Sequence, residues 1–212
     1  MSMRPYRLVA FDFDGTLADS FPWFTRVIDG VADRYRFARI APHETELLRG
    51  LDAAGIVRHL GIAPWKLPFI SRHMHGLAAR DIADIPVFPG IRDVLAELDA
   101  MGMPLALVSS NTRTNIDAVL GPDARRFRHH ACGASLFGKG KRLRALIRAA
   151  GVAPDTVLYV GDEIRDHDAA RTAGCDFAAV AWGYTRIEAL RETGPALELS
   201  TPGEIVAAVT GA

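Results

Sequence analysis

The stretch that most constrains this chain is Tyr6 to Phe13 with the residues that follow it. The run is rich in β-branched and aromatic residues, and Asp12 is almost the only interruption, so it reads as a strand buried on both faces. A strand of that kind has no place for a bare carboxylate unless the carboxylate has work to do. Side chains alternate along a strand with period 2, so Asp12 and Asp14 point the same way at its carboxyl end and can share one cation. Gly15 supplies the φ freedom for a sharp turn, and Thr16 offers a hydroxyl and a backbone N–H to an anion. A surface turn with acidic capping residues is the plain alternative for the same letters.

Beyond this run, short apolar segments alternate with helical ones. Strands are expected over 105–108, 157–160 and 177–180, each followed by a helix, over 115–120, 165–173 and 186–190. That β-then-α alternation predicts a parallel sheet with helices on both faces and a site beyond the carboxyl ends of its strands. Residues 19–85 have helical periodicity and no convincing strand, too long a stretch for a simple loop. The expected division is therefore a core of 1–18 and 86–212 and a small helical domain of 19–85, with Phe88-Pro89-Gly90 marking the return and a helix over 91–100 after it.

Three further features stand in order along the chain. Leu105 to Val108 runs into Ser109-Ser110-Asn111, Phe137-Gly138-Lys139 precedes a helical segment, and 157–160 is followed by Gly161-Asp162-Glu163-Ile164-Arg165-Asp166. With Asp12-Phe13-Asp14-Gly15-Thr16-Leu17 these resemble the ordered motifs of the haloacid dehalogenase-like hydrolases. The segments 109–120 and 139–174 are most similar to the phosphoglycolate phosphatase-like branch. The resemblance implies an α/β fold, a Rossmann-like parallel core with a helical C1-type cap inserted after the first strand. It also implies a phosphatase in which Asp12 is the nucleophile and Asp14 the general acid and base. Ser109 and Lys139 would hold the transferring phosphoryl group, with Thr16, Ser110 and Asn111 beside it.

Carboxylates facing a phosphate require a cation between them, and Mg²⁺ suits an oxygen donor set. The implied metal residues are Asp12, Asp14 through its backbone carbonyl, Asp162 and Asp166, with Asp166 more suited to binding metal waters and Glu163 a possible substitute. Lys141 rivals Lys139. On the cap side, Leu48-Arg49-Gly50 resembles a turn that enters the site, and Arg49 is the candidate for gripping a second anionic or polar group of the substrate. A phosphomutase of the β-phosphoglucomutase type uses the same motifs, and a non-catalytic binding protein on the same fold is a further alternative.

Composition narrows the partners. The 212 residues carry 25 basic and 25 acidic side chains, so no global field favours nucleic acid or an anionic membrane. The basic residues between Arg125 and Arg148 lack interleaved aromatics and read as a solvated face, as His73, His75 and His129-His130 read as surface histidines. Cys132 and Cys175 have no metal or redox spacing, the start Met1 to Pro5 has no apolar signal core, and no apolar run is long enough to span a membrane. The expectation is a cytoplasmic monomer or homodimer acting on a small phosphorylated metabolite.

Overall fold

In the computed structural model, which describes residues 6–133 and 138–211, six strands form one parallel sheet: β1 (Leu8–Phe11), β2 (Leu105–Val108), β3 (Phe127–Ala131), β4 (Val157–Gly161), β5 (Asp176–Val180) and β6 (Leu197–Leu199). Their order is β3-β2-β1-β4-β5-β6. The chain builds outward from β1 to one edge, then restarts at β4 on the other side of β1. That reversal opens a crevice beyond the carboxyl ends of β1, β2 and β4. Register places Phe11 beside both Leu107 and Val160, so the residues just past each strand, Asp12, Ser109 and Asp162, emerge close together.

The alternation within β1 explains why both faces are covered. Leu8 and Ala10 pack with Leu143, Leu146 and Ile147 of α7 (Lys139–Ala150) and with Ala169, Ala170 and Ala173 of α8 (Ile164–Ala173). Val9 and Phe11 face Ile91, Val94, Leu95 and Leu98 of α5 (Ile91–Ala100), Ile116 of α6 (Arg113–Leu120) and Ile205 of α10 (Glu204–Thr210). A short α9 (Ile187–Arg191) follows β5. Each fully buried leucine or phenylalanine here contributes about 1.5–3 kcal/mol.

Between β1 and β2 the chain is helical: α1 (Phe21–Tyr35), α2 (Thr45–Leu48), α3 (Ala53–His59) and α4 (Leu67–Arg80), joined by short 3-10 turns. Ile28, Val31 and Ile70 form a small apolar cluster of their own there, with Phe24 and Leu77 against it. The chain leaves and re-enters the sheet layer at adjacent points, because Asp19 N–H donates to Pro86 (2.8 Å) and Phe88 N–H to Leu17 (3.0 Å).

Two strands escaped the sequence reading. β3 carries Arg128, His129 and His130, and at a sheet edge one polar, part-exposed strand is the rule rather than an exception. β6 is three residues long at the opposite edge. Strand β1 also ends earlier than its apolar run, at Phe11, because Phe13 C=O turns to accept the N–H groups of Thr16, Leu17 and Ala18. Met1 to Pro5 and Phe137 lie outside the described residues. No described helix is long and apolar enough to cross a membrane.

Candidate active site

Asp12 leaves β1 with its N–H donating to Val160 (2.9 Å), and its carboxylate is buried against the Lys139 ammonium, Nζ to Oδ2 2.7 Å. Lys139 opens α7 after Gly138 and also meets Asp166 Oδ1 at 2.5 Å. One buried cation thus bridges two buried carboxylates. Lys141, the rival lysine, is exposed. Burial pushes the Asp12 carboxyl up to about 7, opposed by Lys139 and reinforced by Asp166. Burial would raise Asp166 too, but Lys139, Arg165 and the bonds from Lys139 and Glu163 N–H hold it below the ordinary range.

Asp166 is already engaged on both oxygens: Oδ1 accepts from Lys139 and from Tyr159 Oη (3.1 Å), and Oδ2 from Glu163 N–H (3.1 Å). Asp162 is held differently. Its Oδ1 accepts from Thr16 Oγ1 and its Oδ2 from Tyr184 N–H, both at 2.8 Å. Its carboxyl is raised well above the ordinary range, by burial first and then by Glu163, Asp12 and Asp166.

The approach of backbone to Asp162 is close enough to require glycine twice. A Cβ on Gly15, whose φ is +79°, would stand 2.2 Å from Asp162 Oδ2, and one on Gly183 would stand 2.1 Å from Asp162 Cβ.

Asp12, Asp162 and Asp166 each offer a carboxylate oxygen within 4.8 Å of the others. Lys139 ion-pairs with two of these three buried carboxylates, and a cation bound between them would offset the charge that remains away from water. The donor set is all oxygen, which fits Mg²⁺. Asp12 and Asp162 have lone pairs to give, whereas Asp166 is better described as the anchor that fixes Lys139. The Asp14 side chain lies outside this cluster, and Glu163 is paired with Arg165.

Asp14 instead turns to Asn111, whose Nδ2 donates to Oδ2 at 3.1 Å. Burial raises its pKa, while hydrogen bonds from Ser20 and Asn111 pull the other way. Ser109 follows β2, fully buried, with Oγ accepting from Asn111 N–H (3.0 Å) and its own hydroxyl proton left to donate. It is not the helix cap. Thr112 caps α6, accepting from Asn115 N–H, so Ser109 is left at the sheet end facing the crevice. Ser110 is half-buried beside it.

Two expectations change. Thr16 does not offer its groups to a substrate anion, because its hydroxyl donates to Asp162 and its N–H to Phe13 C=O (3.2 Å); it braces a carboxyl of the protein itself. Arg49 does not present a free fork either. Its Nε donates to Tyr184 C=O (2.9 Å), Nη2 to Gly183 C=O (3.2 Å) and Nη1 to Glu46 (3.1 Å), above the Phe21 ring.

Several neighbours escaped the sequence reading. Tyr184 orients Asp162 from the loop after β5, and its hydroxyl bonds Ser20 Oγ (2.9 Å). Arg165 pairs with Glu163 at the start of α8. His75 of α4 is not a plain surface histidine. It lies against the Ser110 backbone and is drawn upward by Asp14, though burial dominates and lowers its pKa. Only the Gly183-Tyr184 pair after a strand carried a signal, that of a turn.

The profile of the haloacid dehalogenase-like hydrolases matches residues 9–180. The chain belongs to this family. A phosphoglycolate phosphatase of Synechococcus elongatus is 33% identical over 204 residues, covering 95% of this chain and 96% of that one. Phosphoglycolate phosphatase 1 of Pseudomonas aeruginosa is 28% identical, over 90% of this chain and 75% of its own. Among solved structures, a haloacid dehalogenase-like family hydrolase from Streptococcus pneumoniae superposes with a TM-score of 0.78 at 19% identity, covering 96% of this chain and 98% of that one. This haloacid dehalogenase-like protein is accordingly a hydrolase of the phosphatase type, similar to phosphoglycolate phosphatases.

Proposed function

We propose that the protein hydrolyses the phosphate monoester of a small metabolite, phosphoglycolate-like or a sugar phosphate, through an aspartyl-phosphate on Asp12. The reading rests on the different company kept by two carboxyls at the end of β1. Asp12 faces the fixed ammonium of Lys139, which favours the ionised, nucleophilic form. Asp14 has no such ammonium against it, and burial raises its pKa over the opposing bonds from Ser20 and Asn111, so it can carry a proton, give it to the leaving oxygen and take one from the hydrolytic water.

Ser109 donates its hydroxyl to a phosphoryl oxygen, and Lys139 offsets the charge that develops there. Asp12, the Asp14 carbonyl and Asp162 would hold Mg²⁺, with Asp166 anchoring Lys139 beside it; the ion would neutralise phosphate and carboxylate charge together. Residues 19–85 act as a cap over the crevice. The free thiols of Cys132 and Cys175 accord with a cytoplasmic setting.

The experiment is phosphate release from a panel of phosphorylated metabolites, with and without chelator, beside Asp12→Asn. Turnover that needs Mg²⁺ and vanishes in a folded Asp12→Asn supports the chemistry. Activity retained in that variant overturns it.

A further inference from the structure

Beside the catalytic carboxylates lies a cavity of about 540 Å³, bounded by α1, α2, α3, the start of α8 and the loop at Tyr184 and Thr185. Its inner end adjoins the site, since Glu163 follows Asp162 in the chain and Tyr184 both lines the cavity and holds Asp162. Its walls are hydrocarbon: Phe24 and Ile28 from α1, Leu51, and Ile56 and Val57 from α3. Phe24, Leu51, Ile56 and Val57 stay half-buried, open to the cavity.

The charged groups lining it do not suit a second anion. Asp29, Asp52 and Glu163 are acidic. The two lining cations are both engaged, Arg49 on main-chain carbonyls and Glu46, Arg165 on Glu163. A two-carbon carboxylate would meet no free guanidinium and would leave most of this volume as water against hydrocarbon, a costly arrangement.

We propose that the substrate is a phosphate monoester whose leaving group carries an uncharged apolar body that fills this cavity. This rests on the phosphatase chemistry above and departs from its substrate, putting an apolar leaving group in place of a phosphoglycolate-like or sugar one. The phosphoryl group sits at Lys139 and Ser109, and the apolar body lies along α1 and α3, displacing water.

The test is a series of n-alkyl phosphates from ethyl to hexyl, whose leaving alcohols differ little in acidity. kcat/KM rises about fourfold for each added methylene, the value expected for burial of one such group. Ethyl phosphate equals or exceeds phosphoglycolate, and Val57→Asp flattens the dependence. The n-alkylphosphonates, which cannot be hydrolysed, give the same trend in Kd by calorimetry, with a negative heat-capacity change that grows with chain length.

A flat series, or phosphoglycolate preferred over every alkyl ester, overturns the assignment while leaving the phosphatase reading intact. No turnover of any ester, with phosphonate affinity still rising along the series, upholds the cavity's role and rejects hydrolysis. Absence of both rejects both.

Discussion

Replacing Gly183 by alanine tests the site through geometry rather than charge. The new Cβ would stand 2.1 Å from Asp162 Cβ and 2.7 Å from its Cγ. Carbon atoms rest at about 3.5–4.0 Å, so the separation must grow by roughly 1.4–1.9 Å. The obstacle is no flexible tip but the root of a buried side chain, already tied to Thr16 and Tyr184. Either Asp162 moves out of its cluster or the peptide carrying the Tyr184 N–H does.

A displacement of about 1 Å in such machinery costs on the order of 100-fold in rate, and loss of an orienting bond costs about 10–100-fold in metal affinity. We expect Gly183→Ala to lower kcat/KM by about 100-fold and to raise the Mg²⁺ concentration for half-activation by at least about tenfold. Overpacking should cost only about 1–3 kcal/mol of stability. The assay is an Mg²⁺ titration of phosphate release beside urea unfolding. Gly76→Ala in α4, whose Cβ meets no atom within 4 Å, is the control and should gain about 1 kcal/mol. Wild-type kcat/KM and Mg²⁺ demand in Gly183→Ala would refute the reasoning.

Lys139→Met leaves Asp12 and Asp166 buried without their cation, and urea unfolding at pH 7 should show a loss of about 3–5 kcal/mol with turnover reduced about 10²–10³-fold. Lys141→Met at the exposed neighbour should stay within about 0.5 kcal/mol of wild type. Asn111→Ala removes a bond that favours ionised Asp14, so Asp14 keeps its proton to higher pH and the alkaline limb of kcat/KM moves upward; a limb that stays in place or moves down would deny Asp14 the acid's role. Asp14→Asn, measured with chelator present, should melt above wild type at pH 7. The unfolded chain ionises Asp14 in the ordinary range while the fold raises its pKa, so wild type loses stability as pH climbs through that window, and the difference should close below it.

What the sequence disclosed, and what it withheld, divides along physical lines. Asp12, Ser109 and Asp162 could be placed because each follows an apolar run, and parallel strands bring such residues to one edge. Lys139 could be named but not separated from Lys141, since only the packing of α7 on α8 decides which ammonium is buried. The chemistry of Thr16 and Arg49 suits an anionic group of the substrate. Their actual partners, Asp162 for the one and two carbonyls of the loop after β5 for the other, are more than 130 residues away in sequence, and no local pattern reports them. β3 was missed for a related reason, because an edge strand need not be apolar.

The loop after β5 has a consequence beyond its own stability. The Gly183 and Tyr184 carbonyls both face the Arg49 guanidinium, while the Tyr184 N–H, on the other side of the loop, faces Asp162. Arg186 N–H closes the loop by donating to Arg49 C=O at 2.9 Å. A shift of the Arg49 turn therefore breaks three hydrogen bonds or carries the loop along, and with it the donor that aims Asp162. By linkage the influence runs both ways, so whatever tightens the grip on Asp162 also tethers the helices above it.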